Sequence, residues 1–116
     1  MDFEHDRLPE LFTGFSRQRY GAPIRYPVAC HPQAWAAGTL PFVLDRLLGL
    51  EPSALEHRLR IVRPTLPSFV ESLELEDLRV GGATAHLRFR RDGPGEGPTT
   101  VQVLAIDGEL DVRVDV

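Results

Sequence analysis

The hydrophobic period changes once along this chain, and that change limits the folds open to it. Over residues 69–116 apolar side chains return at every second position, the spacing of a half-buried strand. Before residue 68 the chain carries helical spacing and chain breakers, with eight of its ten prolines ahead of Gly93. Two unlike halves of this kind predict an α+β fold.

The second half can be read almost residue by residue. Leu73 and Leu75 alternate on one parity, Leu78 and Val80 on the other. One extra residue near Glu76-Asp77 restores a common face, so a β-bulge is expected there. Gly81-Gly82 fits a two-residue hairpin turn. Ala83, Ala85, Leu87 and Phe89 then share one face, and Thr84, His86, Arg88 and Arg90 the other. Residues 93–98 read as a flexible connection rich in Gly and Pro. Residues 99–106 are apolar on both parities (Val101, Val103, Leu104, Ile106), which suits a central strand. Asp107-Gly108 signals a second hairpin turn. Leu110, Val112, Val114 and Val116 alternate with charged residues. The expectation is one antiparallel sheet of about four strands, with one face packed and one wet.

The first half is less regular. Residues 1–7 are polar and expected to be poorly tied down. Residues 8–28 hold Pro9, Gly14, Gly21, Pro23 and Pro27, which predicts a long shaped loop with at most a single helical turn. Phe12, Phe15, Tyr20 and Tyr26 in that loop argue against simple disorder. Pro32 suits the first position of a helix. Trp35, Ala36, Leu40, Val43, Leu44, Leu47 and Leu48 follow at helical spacing. They predict one main helix over about residues 33–49, kinked near Thr39 by Gly38 and Pro41, and stopped by Gly49 and Pro52. Residues 53–60 could add a helical turn, and residues 59–66 look extended. The whole chain, 1–116, is expected to form a single unit, with a helical and loop part over 1–67 and a β part over 69–116.

Composition narrows the function. All 13 basic residues are Arg, against 17 acids, for a net charge of −4. No basic face for nucleic acid is indicated. No apolar run is long enough for a membrane-spanning helix, and the charged opening residues lack the apolar stretch of a signal peptide, so a cytoplasmic protein is expected. Cys30 is the single cysteine, which excludes an internal disulfide. His5, His31, His57 and His86 show no helical spacing to one another or to Cys30. No metal site and no cofactor are therefore expected. His86 reads as a solvent-face residue of a strand, and Glu71, Glu74, Glu76 and Asp77 as part of a solvated strand face. No nucleophile elbow and no phosphate loop occur.

Glu10 is the carboxylate whose setting suggests chemistry. Pro9, Leu11 and Phe12 flank it, and desolvation by apolar neighbours raises a carboxyl pKa toward the range useful for general acid–base work. The plain alternative, which spacing alone favours, is a first-turn Glu after Pro9 that suits a helix dipole and does nothing more. Trp35 could be a core residue or a platform for a sugar ring.

Two further runs carry a resemblance: Leu8-Pro9-Glu10-Leu11-Phe12-Thr13-Gly14, and Pro27-Val28-Ala29-Cys30 with Pro32-Gln33-Ala34-Trp35-Ala36-Ala37-Gly38. Together with residues 48–52, 59–67 and 78–83, they resemble the C-terminal end of bacterial glycogen-debranching enzymes of the amylo-α-1,6-glucosidase type. The resemblance covers about residues 7–91. It implies the end of an (α/α)6 toroid that hydrolyses α-1,6-glucosidic branch points with inversion. Carried over, Glu10 matches the general base that holds and deprotonates the attacking water. Gln33 matches a residue that hydrogen-bonds sugar hydroxyls, Trp35 one that packs on or behind the ring, and Phe12 one that flanks the pocket. An inverting hydrolase needs a second carboxyl as general acid, and neither Asp6 nor Asp45 lies in a family motif. A chain of 116 residues is also too short for a dozen helices, which need about two hundred. The resemblance thus implies a fragment of a larger domain, with an α-glucan oligosaccharide as ligand once upstream sequence completes the site. Little or no activity is expected from the piece alone, and self-association is expected through Leu40, Val43, Leu44, Leu47 and Leu48. Two alternatives stay open: a free-standing α+β domain that binds a partner without catalysis, and a carbohydrate-binding module using Trp35, Tyr20 and Tyr26.

Overall fold

A computed structural model describes residues 8–30, 33–93 and 97–115. The expectations for residues 1–7, for His31 and Pro32, for the centre of the 93–98 connection and for Val116 lie outside the described residues. Helices α1 (Arg17–Tyr20) and α2 (Ala34–Leu48) come first in the chain. Strands β1 (Leu50–Ser53), β2 (Arg58–Val62), β3 (Ser72–Val80), β4 (Ala83–Arg91), β5 (Thr99–Asp107) and β6 (Asp111–Asp115) follow. The fold is α+β, as the change of period predicts. Chain contacts divide it into two compact units, one ending at Val43 and the other beginning at Leu44. The division falls inside α2.

In the first unit, residues 8–26 form the expected loop, and α1 is its single helical turn. Gly21 ends that turn in the left-handed region (φ 74°), with its N–H bonded to the Arg17 carbonyl. An isolated bridge between Phe12 and Arg25 closes the loop, flanked by Thr13 N–H to Ile24 O (2.7 Å) and Tyr26 N–H to Leu11 O (3.0 Å). Thus a segment full of breakers still satisfies backbone groups across its neck. The helix begins where expected, with Ala37 N–H bonded to the Gln33 carbonyl. It continues through Pro41 as one element, although Pro41 has no N–H to offer the Ala37 carbonyl. Thr39 Oγ1 donates to the Trp35 carbonyl at 3.1 Å.

The second unit carries the core. Leu48, Leu59, Ile61, Leu66, Val80, Ala85, Leu87 and Phe89 form one buried cluster, with Leu73, Leu75 and Leu78 packed against it. The predicted face of β4 is the buried one. The bulge is also where parity placed it: register shifts between Leu75 and Leu78, and Asp77 takes φ 53°. Gly81-Gly82 makes the two-residue turn that pairs Val80 with Ala83.

The sheet itself differs from the expectation of four strands in one antiparallel layer. Among the described residues, six strands form two three-stranded sheets, β1-β2-β6 and β3-β4-β5. Asp107-Gly108 does turn the chain, but not into a hairpin: β6 crosses to the other sheet and pairs parallel with β2. β4, not β5, is therefore central, and β5 exposes Val103 and Ile106 at a sheet edge. Residues 53–60 add no helical turn; they hold the end of β1, a turn and the start of β2. Pro52 falls in β1, an edge strand, the position in a sheet that tolerates a missing N–H. The extended stretch of 59–66 becomes a strand only as far as Val62.

Gly49 fixes the junction from α2 to β1. It sits at φ 62°, and a Cβ there would collide with the Val62 carbonyl oxygen. Its own carbonyl accepts the Val62 N–H at 2.9 Å. On the outer face, Arg60 of β2 reaches Glu51 of β1 (3.1 Å) and Asp115 of β6 (2.6 Å), joining all three strands. The Asp115 hydrogen bond, followed by its charge, pushes the Arg60 pKa further up. Arg91 ties the chain before β3 to the end of β4 by donating to the Val70, Ser68 and Gly93 carbonyls. No helix among the described residues is long and apolar enough to cross a membrane.

Candidate functional site

Glu10 follows Pro9, one of only two buried residues among those described in the first unit; the other is Ala36. The Glu10 side chain is half-buried. Its Oε2 accepts the backbone N–H of Cys30 at 2.9 Å. That bond spans 20 residues and links the Leu8–Gly14 motif to the chain just ahead of Gln33. The Cys30 thiol is exposed and also hydrogen-bonds Glu10, which raises its pKa; the Glu10 charge adds to the same shift. Both effects favour the neutral thiol over the thiolate. The carboxylate thus keeps one oxygen on a backbone donor, a fixed orientation that a base needs.

Phe12 lies two residues on, at the bridge to Arg25. With Leu11, Thr13, Gly14, Phe15 and Tyr26 it lines an open depression of about 430 Å³. Phe15 and Tyr20 stack with ring centroids 5.3 Å apart, and the Arg19 guanidinium lies 5.5 Å from the Tyr20 ring centroid. The lining is aromatic and largely apolar, and Phe15 connects it to Tyr20, which carries the cation–π contact. Gln33 is half-buried at the start of α2. Trp35, in the first turn, is 66% exposed. It is therefore not a core residue, and its ring is available to a ligand.

The structure brings the two motif segments together at Glu10 and Cys30. No hydrogen bond among the described residues joins Glu10 to Gln33 or Trp35. Cys30 is the site residue that sequence reasoning missed. Its separation from Glu10 has no local pattern to reveal it; only the pairing of the two runs in one resemblance hinted that they meet.

Apolar exposure extends beyond the depression. Leu40, Phe42 and Val43 of α2 are exposed, as are Phe15 and Val28. Of the five helix residues expected to need cover, Leu48 alone is fully buried, Leu44 and Leu47 are half-buried, and Leu40 and Val43 remain in water. Comparison with protein-family models, with curated proteins and with solved structures finds no match to this chain.

Proposed function

We propose that this chain is the C-terminal part of a cytoplasmic glycoside hydrolase acting on α-1,6-glucosidic branch points, and that Glu10 is its general base. The supporting observation is the Glu10–Cys30 hydrogen bond, which joins the two sequence runs that carry the resemblance to glycogen-debranching enzymes. Glu10 would take a proton from the attacking water. Gln33 would hold sugar hydroxyls, Trp35 would stack on the ring, and Phe12 would flank the pocket. The general acid would come from helices outside this sequence, so the chain alone turns over no substrate. An inverting pair needs its second carboxyl about 6.5–9.5 Å away, and most transition-state stabilisation disappears without it.

An exposed tryptophan gives the test. Phe12, Gln33 and Trp35 are the share of the pocket carried by this chain, so weak binding should survive without the rest: on titration with a branched maltooligosaccharide into the millimolar range, Trp35 fluorescence should change saturably, while no glucose is released. Trp35 is the sole tryptophan, so binding by Gln33→Ala can be read from the same signal and should weaken at least tenfold. Glu10→Gln should keep the binding. A flat Trp35 signal up to high millimolar sugar would sink the reading.

The exposed apolar side chains of the first unit favour a second reading, a non-catalytic α+β domain that docks on a protein partner. That partner could be another copy of the chain.

A further inference from the structure

β3 and β4 carry a second group of side chains, on the wet face of their sheet and separate from Glu10. Glu74 and Glu76 stand two apart on β3, and so project from one side of it. His86 on β4 faces the step where β3 bulges between Leu75 and Leu78. The pairing of β4 with β5 also shifts between His86 and Leu87. His86 thus has an irregular neighbour on both sides. Bulges of this kind re-aim side chains and recur beside functional sites.

His86 Nε2 lies 3.3 Å from Glu74 Oε2 and 3.9 Å from Glu76 Oε1. One ligand atom from each of the three residues falls within 4.8 Å of the others. The Nε2 atom of His86 is shielded from solvent and has no hydrogen bond of good geometry, although the side chain as a whole is 32% exposed. A shielded ring nitrogen without a good partner, beside two carboxylates, is poor hydrogen bonding and suits metal ligation. Bonds of 2.0–2.2 Å to zinc in tetrahedral geometry put ligand atoms roughly 3.3–3.6 Å apart. The two distances from His86, 3.3 and 3.9 Å, are close to that, and the two carboxylate oxygens, within 4.8 Å of each other, would draw together on an ion by a change of side-chain rotamer.

The geometry points to a binding site for a divalent transition-metal ion, with Glu74 Oε2, Glu76 Oε1 and His86 Nε2 as its protein ligands and water in the remaining position. One imidazole with two carboxylates suits zinc and its neighbours better than calcium, which takes six to eight oxygens. Arg88 completes the arrangement from the next position along that face. Its Nε donates to Glu74 Oε1 at 2.6 Å, which leaves Oε2 for the ion and fixes the carboxylate's orientation, as outer partners of metal ligands do. The same hydrogen bond is the main cause holding the Glu74 carboxyl below the usual carboxylate range, so it is ionised at neutral pH. Glu76 is 74% exposed, which gives the ion a path from solvent.

Calorimetric titration of the intact chain with zinc chloride tests this, with cobalt(II) absorption as the second readout. Wild type should take up one ion at this site. Glu76→Gln and His86→Gln should each weaken it at least tenfold and abolish the visible bands of the cobalt form, while keeping the wild-type circular dichroism. Glu109→Gln, an exposed acid elsewhere, should bind within twofold of wild type. No heat up to millimolar zinc would overturn the site, as would affinity unchanged in both ligand variants or an equal loss in Glu109→Gln.

Discussion

The Glu10–Cys30 hydrogen bond ties two stretches of the first unit together, and the nearness of the Glu10 carboxylate can be read through the reactivity of the Cys30 thiol. Glu10 stabilises the neutral Cys30 thiol and repels the thiolate. Only the thiolate is alkylated. At a fixed pH below the thiol pKa, Cys30 should therefore react with iodoacetamide more slowly than an ordinary exposed thiol. Replacing Glu10 by Gln removes the negative charge, so the rate should rise and its inflection should move to lower pH. Identical pH–rate profiles for Glu10→Gln and wild type would mean that the two side chains do not meet. This contact is also the clearest case of what the sequence hid. Glu10 is conspicuous among Pro9, Leu11 and Phe12, but nothing local names Cys30 as its neighbour. By contrast, Asp77 could be located to within a residue, because a parity change from Leu73 and Leu75 to Leu78 and Val80 has one simple repair.

Among the elements, α2 divides its apolar residues unevenly. Leu48 is fully buried beside Leu59, Ile61 and Leu87, while Leu40 is 55% exposed. Leu48→Ala should cost about 2–5 kcal/mol, the range for emptying a buried leucine site. Leu40→Ala should fall within about 0.5 kcal/mol of wild type. Urea denaturation of both variants checks this, and equal losses would contradict the burial. Strand identity was legible where alternation is strict, as in Ala83, Ala85, Leu87 and Phe89. Strand partnership was not. Val112 and Val114 show the same two-residue period whether β6 returns to β5 or crosses to β2, and Asp107-Gly108 turns the chain in either case. β1 was hidden by Pro52, which marks a helix stop as readily as an edge strand.

At the scale of the molecule, the second unit has a continuous core, and the first has two buried residues among those described. Phe15, Trp35, Leu40 and Phe42 are each at least half exposed. Exposed apolar surface of that kind drives association. Sedimentation velocity should therefore show a weight-average coefficient that rises with concentration, and a Phe42→Glu/Leu40→Glu double variant should suppress the rise. A monomer at every concentration would remove the argument for a covering partner. Hydrophobic-surface dyes should bind wild type and lose fluorescence on association.

The parallel pairing of β2 with β6 has a consequence for how the chain comes to be folded. Arg58 meets Asp111, and Val62 meets Asp115, so the whole β3-β4-β5 sheet lies between them in sequence. The β3–β4 hairpin closes over two glycines and can form within microseconds. β2 cannot find its second neighbour until the ribosome has delivered a stretch of about fifty more residues, roughly 3–10 s later at ordinary rates of synthesis. For that interval β2 offers a bare row of backbone donors and acceptors to whatever is nearby. A chain with this order of strands should therefore fold to higher yield when its synthesis is slow to meet other unpaired chains, which translation at different chain concentrations would show.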